Sequence, residues 1–170
     1  MKKIIVSLIA LLCFTASVKA LDETFDTDVM TNMVATIKEK ATLAMDTSDD
    51  TKYRVPILRI DRFVSAVAME ESFPADKKAE IRSILKQLSL IATQVTEKFE
   101  DVIDAKQVRA EQVSLSTLGG TVYGIDCNEI RDLATVRFGQ DLVAYEHIKK
   151  KMLKVQKALK TQIERLGKTS

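Results

Sequence analysis

From Ile81 the chain sets Ile84, Leu88, Ile91 and Val95 at alternating gaps of three and four, the spacing of a helix with one face that another helix must cover. The stripe steps to Phe99 and continues through Val102, Ile103, Val108 and Val113 until Gly119-Gly120 ends it. With Ser72 as cap and Pro74 in the first turn, the pattern predicts one helix from Ser72 to Gly120. At about 1.5 Å per residue that is a rod on the order of 65 Å long. Such a rod needs neighbours folded back along it.

Three further stripes supply them. Thr27 is placed to cap a first helix, Asp28 stands against its N-terminal dipole, and Met30, Met33, Val34, Ile37, Ala41 and Ala44 share a face. The polar run Asp46-Thr47-Ser48-Asp49-Asp50 competes for backbone hydrogen bonds and predicts a loop. A second helix begins between Asp50 and Pro56, with Pro56 in its first turn and Tyr53, Ile57, Ile60, Phe63, Val64 and Val67 as its stripe. Thr121 to Ile125, with glycines at 120 and 124, reads as a compact hinge. Asp126 opens the last helix in a capping-box pattern with Glu129, and Leu142, Tyr145, Ile148, Met152, Val155, Leu159, Ile163 and Leu166 follow regularly. Gly139 interrupts this helix and predicts a bend or a close approach there.

The first two helices together, the rod and the last helix make three runs of about equal length. They fold most simply as an all-α, elongated antiparallel bundle of four helices, two of them long, with coiled-coil-like packing. Two prolines, five glycines and no tryptophan leave little of the turn chemistry that an all-β fold requires.

Residues 1–20 have the anatomy of a secretory signal peptide: Lys2 and Lys3, an apolar run from Ile4 to Phe14, and Val18-Lys19-Ala20 at the cleavage site. The run is too short to anchor in a bilayer, which takes roughly 20 residues, and no later stretch is apolar enough. The expected product is therefore a secreted, extracellular protein, residues 21–170 forming a single helical-bundle domain and not an integral membrane protein. Loss of Lys2, Lys3 and Lys19 leaves 23 basic residues against 24 acidic ones. Near-neutral charge removes the electrostatic support for general nucleic-acid binding.

The remaining charge is uneven. Leu21 to Asp50 carries Asp22, Glu23, Asp26, Asp28, Glu39, Asp46, Asp49 and Asp50 against two lysines, and Tyr145 to Ser170 carries eight basic residues against Glu146 and Glu164. Lys150, Lys154 and Lys157 form a candidate basic docking face for acidic glycans, phospholipid heads or a charged receptor. The simpler expectation is that the acidic first run lies beside the basic last run and neutralises it.

Catalytic chemistry finds little material. His147 is the only histidine, which excludes a di-iron bundle with two Glu-x-x-His pairs and structural zinc held by several histidines and cysteines. About twenty helical residues separate it from Cys127, about 30 Å along one rod, too far for a cysteine–histidine pair. The carboxylates of 46–50 lack the glycine and distal glutamate of a calcium loop. No catalytic residue, metal site or cofactor is expected. The expected function is binding of a protein partner, the alternative being carriage of a small hydrophobic ligand or lipid among Met30, Met33, Phe63, Phe99 and Met152.

Cys13 lies in the signal, so Cys127 is the one cysteine of the mature chain, and an unpaired cysteine in a secreted protein points to a bridge between two copies. Non-reducing electrophoresis of freshly secreted protein is expected to show a band at twice the mature mass. Reductant or Cys127→Ser should abolish it, whereas a thiol that reacts only after unfolding would place the cysteine in the core.

Overall fold

A computed structural model describes the backbone of residues 25–115, 121–122 and 125–168, and the side chains of 25–112 and 136–168. Four helices account for nearly all of it: α1 (Thr27–Met45), α2 (Arg54–Met69), α3 (Ala75–Leu115) and α4 (Cys127–Gly167). One turn of 3-10 helix, Asp50–Tyr53, joins α1 to α2. Between α3 and α4 a minimal antiparallel ladder pairs β1 (Thr121–Val122) with β2 (Ile125–Asp126), Thr121 opposite Asp126 and Val122 opposite Ile125. The expected hinge is thus a hairpin tip. The signal segment, residues 21–24, the Gly119-Gly120 stop and the Cys127 side chain lie outside the described residues.

The fold is the expected all-α helical bundle. The break in the first run reverses the chain, so α1 and α2 form a hairpin. Thr27, at the start of α1, accepts a hydrogen bond from Lys77 at the start of α3, and Asp50, past the end of α1, pairs with Lys106 far along α3. Hence α1 runs parallel to α3. Helix α2 runs parallel to α4, because Asp61 meets Lys151 and the carbonyls of Val67 and Glu70 meet Arg165. Each of α1 and α4 packs along α2 and α3, which places α1 and α4 across the bundle from one another.

Local chemistry explains the boundaries. Asp26, one residue before the expected Thr27, caps α1: its carboxylate accepts from the amides of Asp28 and Val29. A carboxylate reaches these N–H groups and also meets the positive end of the helix dipole. The Asp46–Asp49 loop spends its polar groups on itself. Asp49 accepts from the Thr51 amide and hydroxyl, and the buried Tyr53 donates to the Thr47 carbonyl. Pro56 sits buried in the first turn of α2, as its spacing predicts. Pro74 precedes α3 instead of entering it, and its carbonyl accepts the Lys78 amide.

The core follows the stripes. Met30, Ile37, Ala41 and Ala44 of α1 meet Ile57, Ile60, Phe63, Val64 and Val67 of α2 around Ile81, Leu88, Val95 and Phe99 of α3 and Met152, Val155 and Leu159 of α4. Phe25 closes one end edge-to-face with Phe73 at 5.0 Å and Phe63 at 6.1 Å. Burial of a large apolar side chain stabilises by about 1.5–3 kcal/mol, so these layers supply the main favourable term.

Two stripe positions leave the core because α1 and α2, with 19 and 16 residues, stop well short of α3 and α4, with 41 each. Beyond the Lys106–Tyr145 level, α3 and α4 continue as a two-helix hairpin, about 25 Å of α4 at 1.5 Å per residue. There Val108 is 50 % and Leu142 39 % exposed, contrary to the apolar seam expected of them. Gly139 lies in the same extension. Helix α4 passes through it uninterrupted, and no described atom beyond its chain neighbours and its own helix backbone stands within 4 Å of the position a Cβ would take, so no other described element approaches closely there. An exposed glycine in a helix costs about 0.5–1 kcal/mol relative to alanine. Gly139→Ala is accordingly expected to raise the stability to chemical denaturation by that amount, and a lower midpoint would show that the position needs glycine.

Candidate functional site

The charge imbalance resolves differently from the neutralisation expected. The acids of the first run sit mainly at its ends, where Asp26 and Asp49 cap turns and Asp50 holds Lys106. Along α1 itself Glu39 lies beside Lys40 at 2.9 Å. Because α1 and α4 occupy opposite corners, they do not neutralise each other. The bases of α4 that find acids find them on α3 and α2: Lys149 with Glu100 at 2.7 Å, and Lys151 with Asp61 at 3.2 Å.

The named docking lysines point away from the bundle. Lys150 is 78 % exposed and reaches Glu146 of its own helix at 3.8 Å, a solvated pair of little energetic worth. Lys154, Lys157 and Lys160 are exposed and enter none of the ion pairs among the described residues. Their positions follow from the a/d pattern of Tyr145, Ile148, Met152, Val155 and Leu159, which turns the intervening residues outward.

Two clefts flank this helix. A groove of about 530 Å³ runs between α3 and α4, floored by Phe99, Ile103, Leu142, Tyr145 and Leu153 and rimmed by Glu100, Asp104, Gln107, Glu146, Lys149 and Lys150. It spans the level at which α1 and α2 cease to cover the hairpin, a feature no single stripe reveals. A smaller cleft of about 190 Å³ lies between α2 and α4, lined by Arg54, Ile57, Leu58, His147, Ile148 and Lys151. His147 is an exposed flank residue of the seam, as its position predicts. Among the described residues, no three histidines, cysteines, aspartates or glutamates converge in a way that could hold a metal ion.

The residues expected to line an internal ligand cavity are packed. Met30 and Met152 are fully buried, Phe63 and Phe99 nearly so, and Met33 is half-buried against the core. Phe99 alone of that set reaches a cleft, at the floor of the α3–α4 groove.

Polar ties hold the groove's walls in register. Thr96, buried on α3, donates to the Ala92 carbonyl at 2.7 Å and accepts from Gln156 of α4 at 3.1 Å. The groove floor is stacked, with Tyr145 edge-on to Phe99 at 6.4 Å and Phe138 tilted against Tyr145 at 6.5 Å. Lys106 joins three elements: it pairs with Asp50, donates to the Tyr145 hydroxyl at 3.2 Å and lies 5.2 Å from the centre of that ring. Burial alone would lower its pKa, but the hydrogen bonds to Asp50 and Tyr145 and the charge of Asp50 outweigh that and raise it above the ordinary 10.5. No family model, curated protein or solved structure matches the chain.

A base whose folded pKa lies above its unfolded value stabilises fully below the unfolded pKa and ceases to do so as pH rises through the folded one. Stability from Lys106 is therefore constant through neutral pH and lost above about 10.5. Lys106→Met leaves Asp50 unpaired and is expected to cost about 1–3 kcal/mol at pH 7. In paired denaturant titrations, the gap between wild type and variant should narrow at high pH. A gap that widens there would disprove the assigned role.

Proposed function

We propose that this is a secreted, non-enzymatic helical protein that acts extracellularly by binding a protein partner, and that the partner seats in the groove between α3 and α4. The observation supporting this reading most directly is the groove's lining. Aromatic and aliphatic side chains form its floor and charges of both signs form its rim, and among the described residues it is lined by α3 and α4 alone. That combination suits the apolar face of an amphipathic helix, whose anchors every three or four residues fit an apolar floor and whose flanks meet a charged rim. The rim pairs Lys149 with Glu100, a tie that raises the Lys149 pKa.

Carriage of a hydrophobic ligand is less well supported, because the methionines and phenylalanines it would use fill the core. Leu153 is half-exposed at the groove, so Leu153→Glu should leave the fold intact while placing a charge among the anchors. Native mass spectrometry of protein taken from its own secretion is expected to show a partner polypeptide at fixed stoichiometry, weakened at least tenfold by Leu153→Glu. A bound lipid-sized mass in place of a polypeptide would favour the carrier reading and overturn the proposal.

A further inference from the structure

The outer face of α4 carries a row of lysines beside the groove, sharing Lys150 with its rim. At 100° and 1.5 Å per residue, Lys150, Lys154 and Lys157 fall within about 60° around the helix, with Lys160 on their flank, over about 15 Å of its length. Glu146 and Glu164 stand only at the ends of this row. Its side toward α2 adjoins the small cleft that holds Arg54, His147 and Lys151, where Ile57, Leu58 and Ile148 form the apolar wall and no carboxylate is among the lining residues. Lys151 there is engaged by Asp61, leaving Arg54 and His147 as the polar groups available beside the row.

From this we infer that the α4 lysine row and the adjoining α2–α4 cleft form a binding site for a linear sulfated polysaccharide. Charge complementarity selects the class. Lysine is depleted from the cores of protein interfaces, where aromatic residues and arginine dominate, and this row has Leu153 as its one large apolar neighbour on α4. A helix lying on a membrane needs an apolar face for the acyl boundary, whereas the apolar face of α4 is the one buried in the bundle. What the row offers is a series of compact, well-solvated ammonium groups on flexible stems, suited to a flexible chain of repeating anions bound through release of counterions. The choice of a sulfated glycan over other polyanions rests on the extracellular setting proposed above. The site itself does not depend on the groove.

The test uses the full mature protein, a size-defined heparin oligosaccharide and titration calorimetry at several salt concentrations. Lys154→Gln, Lys157→Gln and Lys160→Gln are combined in one variant; Lys150 is kept because it also borders the groove. The control combines Lys38→Gln, Lys52→Gln and Lys86→Gln, which remove equal charge at exposed positions on α1, the 3-10 turn and α3. Wild-type binding should weaken steeply with salt. The α4 variant should bind at least tenfold more weakly and show a shallower salt dependence, while the control stays within about twofold of wild type. Circular dichroism melts of both variants should match wild type, and Arg54→Gln should weaken binding severalfold through the cleft. Equal losses in the α4 variant and the control would reduce the effect to net charge and overturn the site. Tighter binding to duplex DNA than to heparin, or binding confined to anionic phosphatidylserine vesicles, would overturn the assignment to a sulfated glycan. Retention of the groove partner by the α4 variant separates failure here from failure of the groove reading.

Discussion

Everything in this protein depends on the antiparallel seam between α3 and α4. Each of these helices carries an apolar stripe it cannot leave in water, and neither covers the other completely. The face of α3 is wide because Ile84 and Leu85, then Ile91 and Ala92, are buried in adjacent pairs, so it presents surface to α1 as well as to α4. That extra width creates the need for the α1–α2 hairpin. With two cysteines in the whole chain and no metal-binding cluster among the described residues, stability rests on apolar burial, which is strong in total and non-directional.

Direction comes from a few polar pins. Apolar stripes tolerate sliding by a turn or a heptad, but the Gln156–Thr96 hydrogen bond would be broken by such a slip and would leave buried polar groups unsatisfied. Guanidinium groups fix the other end. Arg165 donates to the Val67 and Glu70 carbonyls at 2.6 and 2.7 Å, and Arg82 donates to the Ile163 carbonyl at 3.3 Å. In each case a cation on one helix meets carbonyls in the last turns of another, where the dipole is negative, and those of Val67 and Glu70 lie past the last helical hydrogen bond of α2. The packing is therefore specified in the middle by the Gln156–Thr96 pair and at the Arg82–Arg165 end by side-chain-to-backbone contacts.

Much of this was legible in the linear pattern. The stripes of α1 and α2 are buried apart from the half-buried Met33 and Val34, and Ile81 through Val102 and Tyr145 through Leu159 follow suit. What periodicity could not convey is the distance at which one helix stops covering another. Val108 and Leu142 fit the stripe yet face solvent, because stripe membership says which face is apolar and says nothing of a neighbour's length. The reversal at Asp46–Tyr53 was equally hidden, since a polar break inside a long run is compatible with a kink or a hairpin. Counting charges by segment also misled. The count ignored that Asp26 and Asp49 serve as caps, and that opposite corners of a four-helix bundle do not touch. The lysine row was visible in sequence, whereas the groove required knowing where α2 ends.

The unequal helix lengths also bear on how the molecule opens. Backbone amides between Ile81 and Phe99 on α3, and between Ile148 and Leu159 on α4, sit among four helices and are expected to exchange with solvent only through near-global unfolding. Above Tyr145 each helix has a single partner, and Val143 stands 73 % exposed. Fewer apolar contacts must break to free the amides around Val108 and Val143, so hydrogen-exchange protection is expected to be lower there than in the bundle. The groove straddles that boundary, each wall running from the bundle, at Phe99 and Leu153, toward the hairpin, at Gln107 and Leu142. A ligand seated there ties the two regions together, and its binding would register as slowed exchange well beyond the residues it touches.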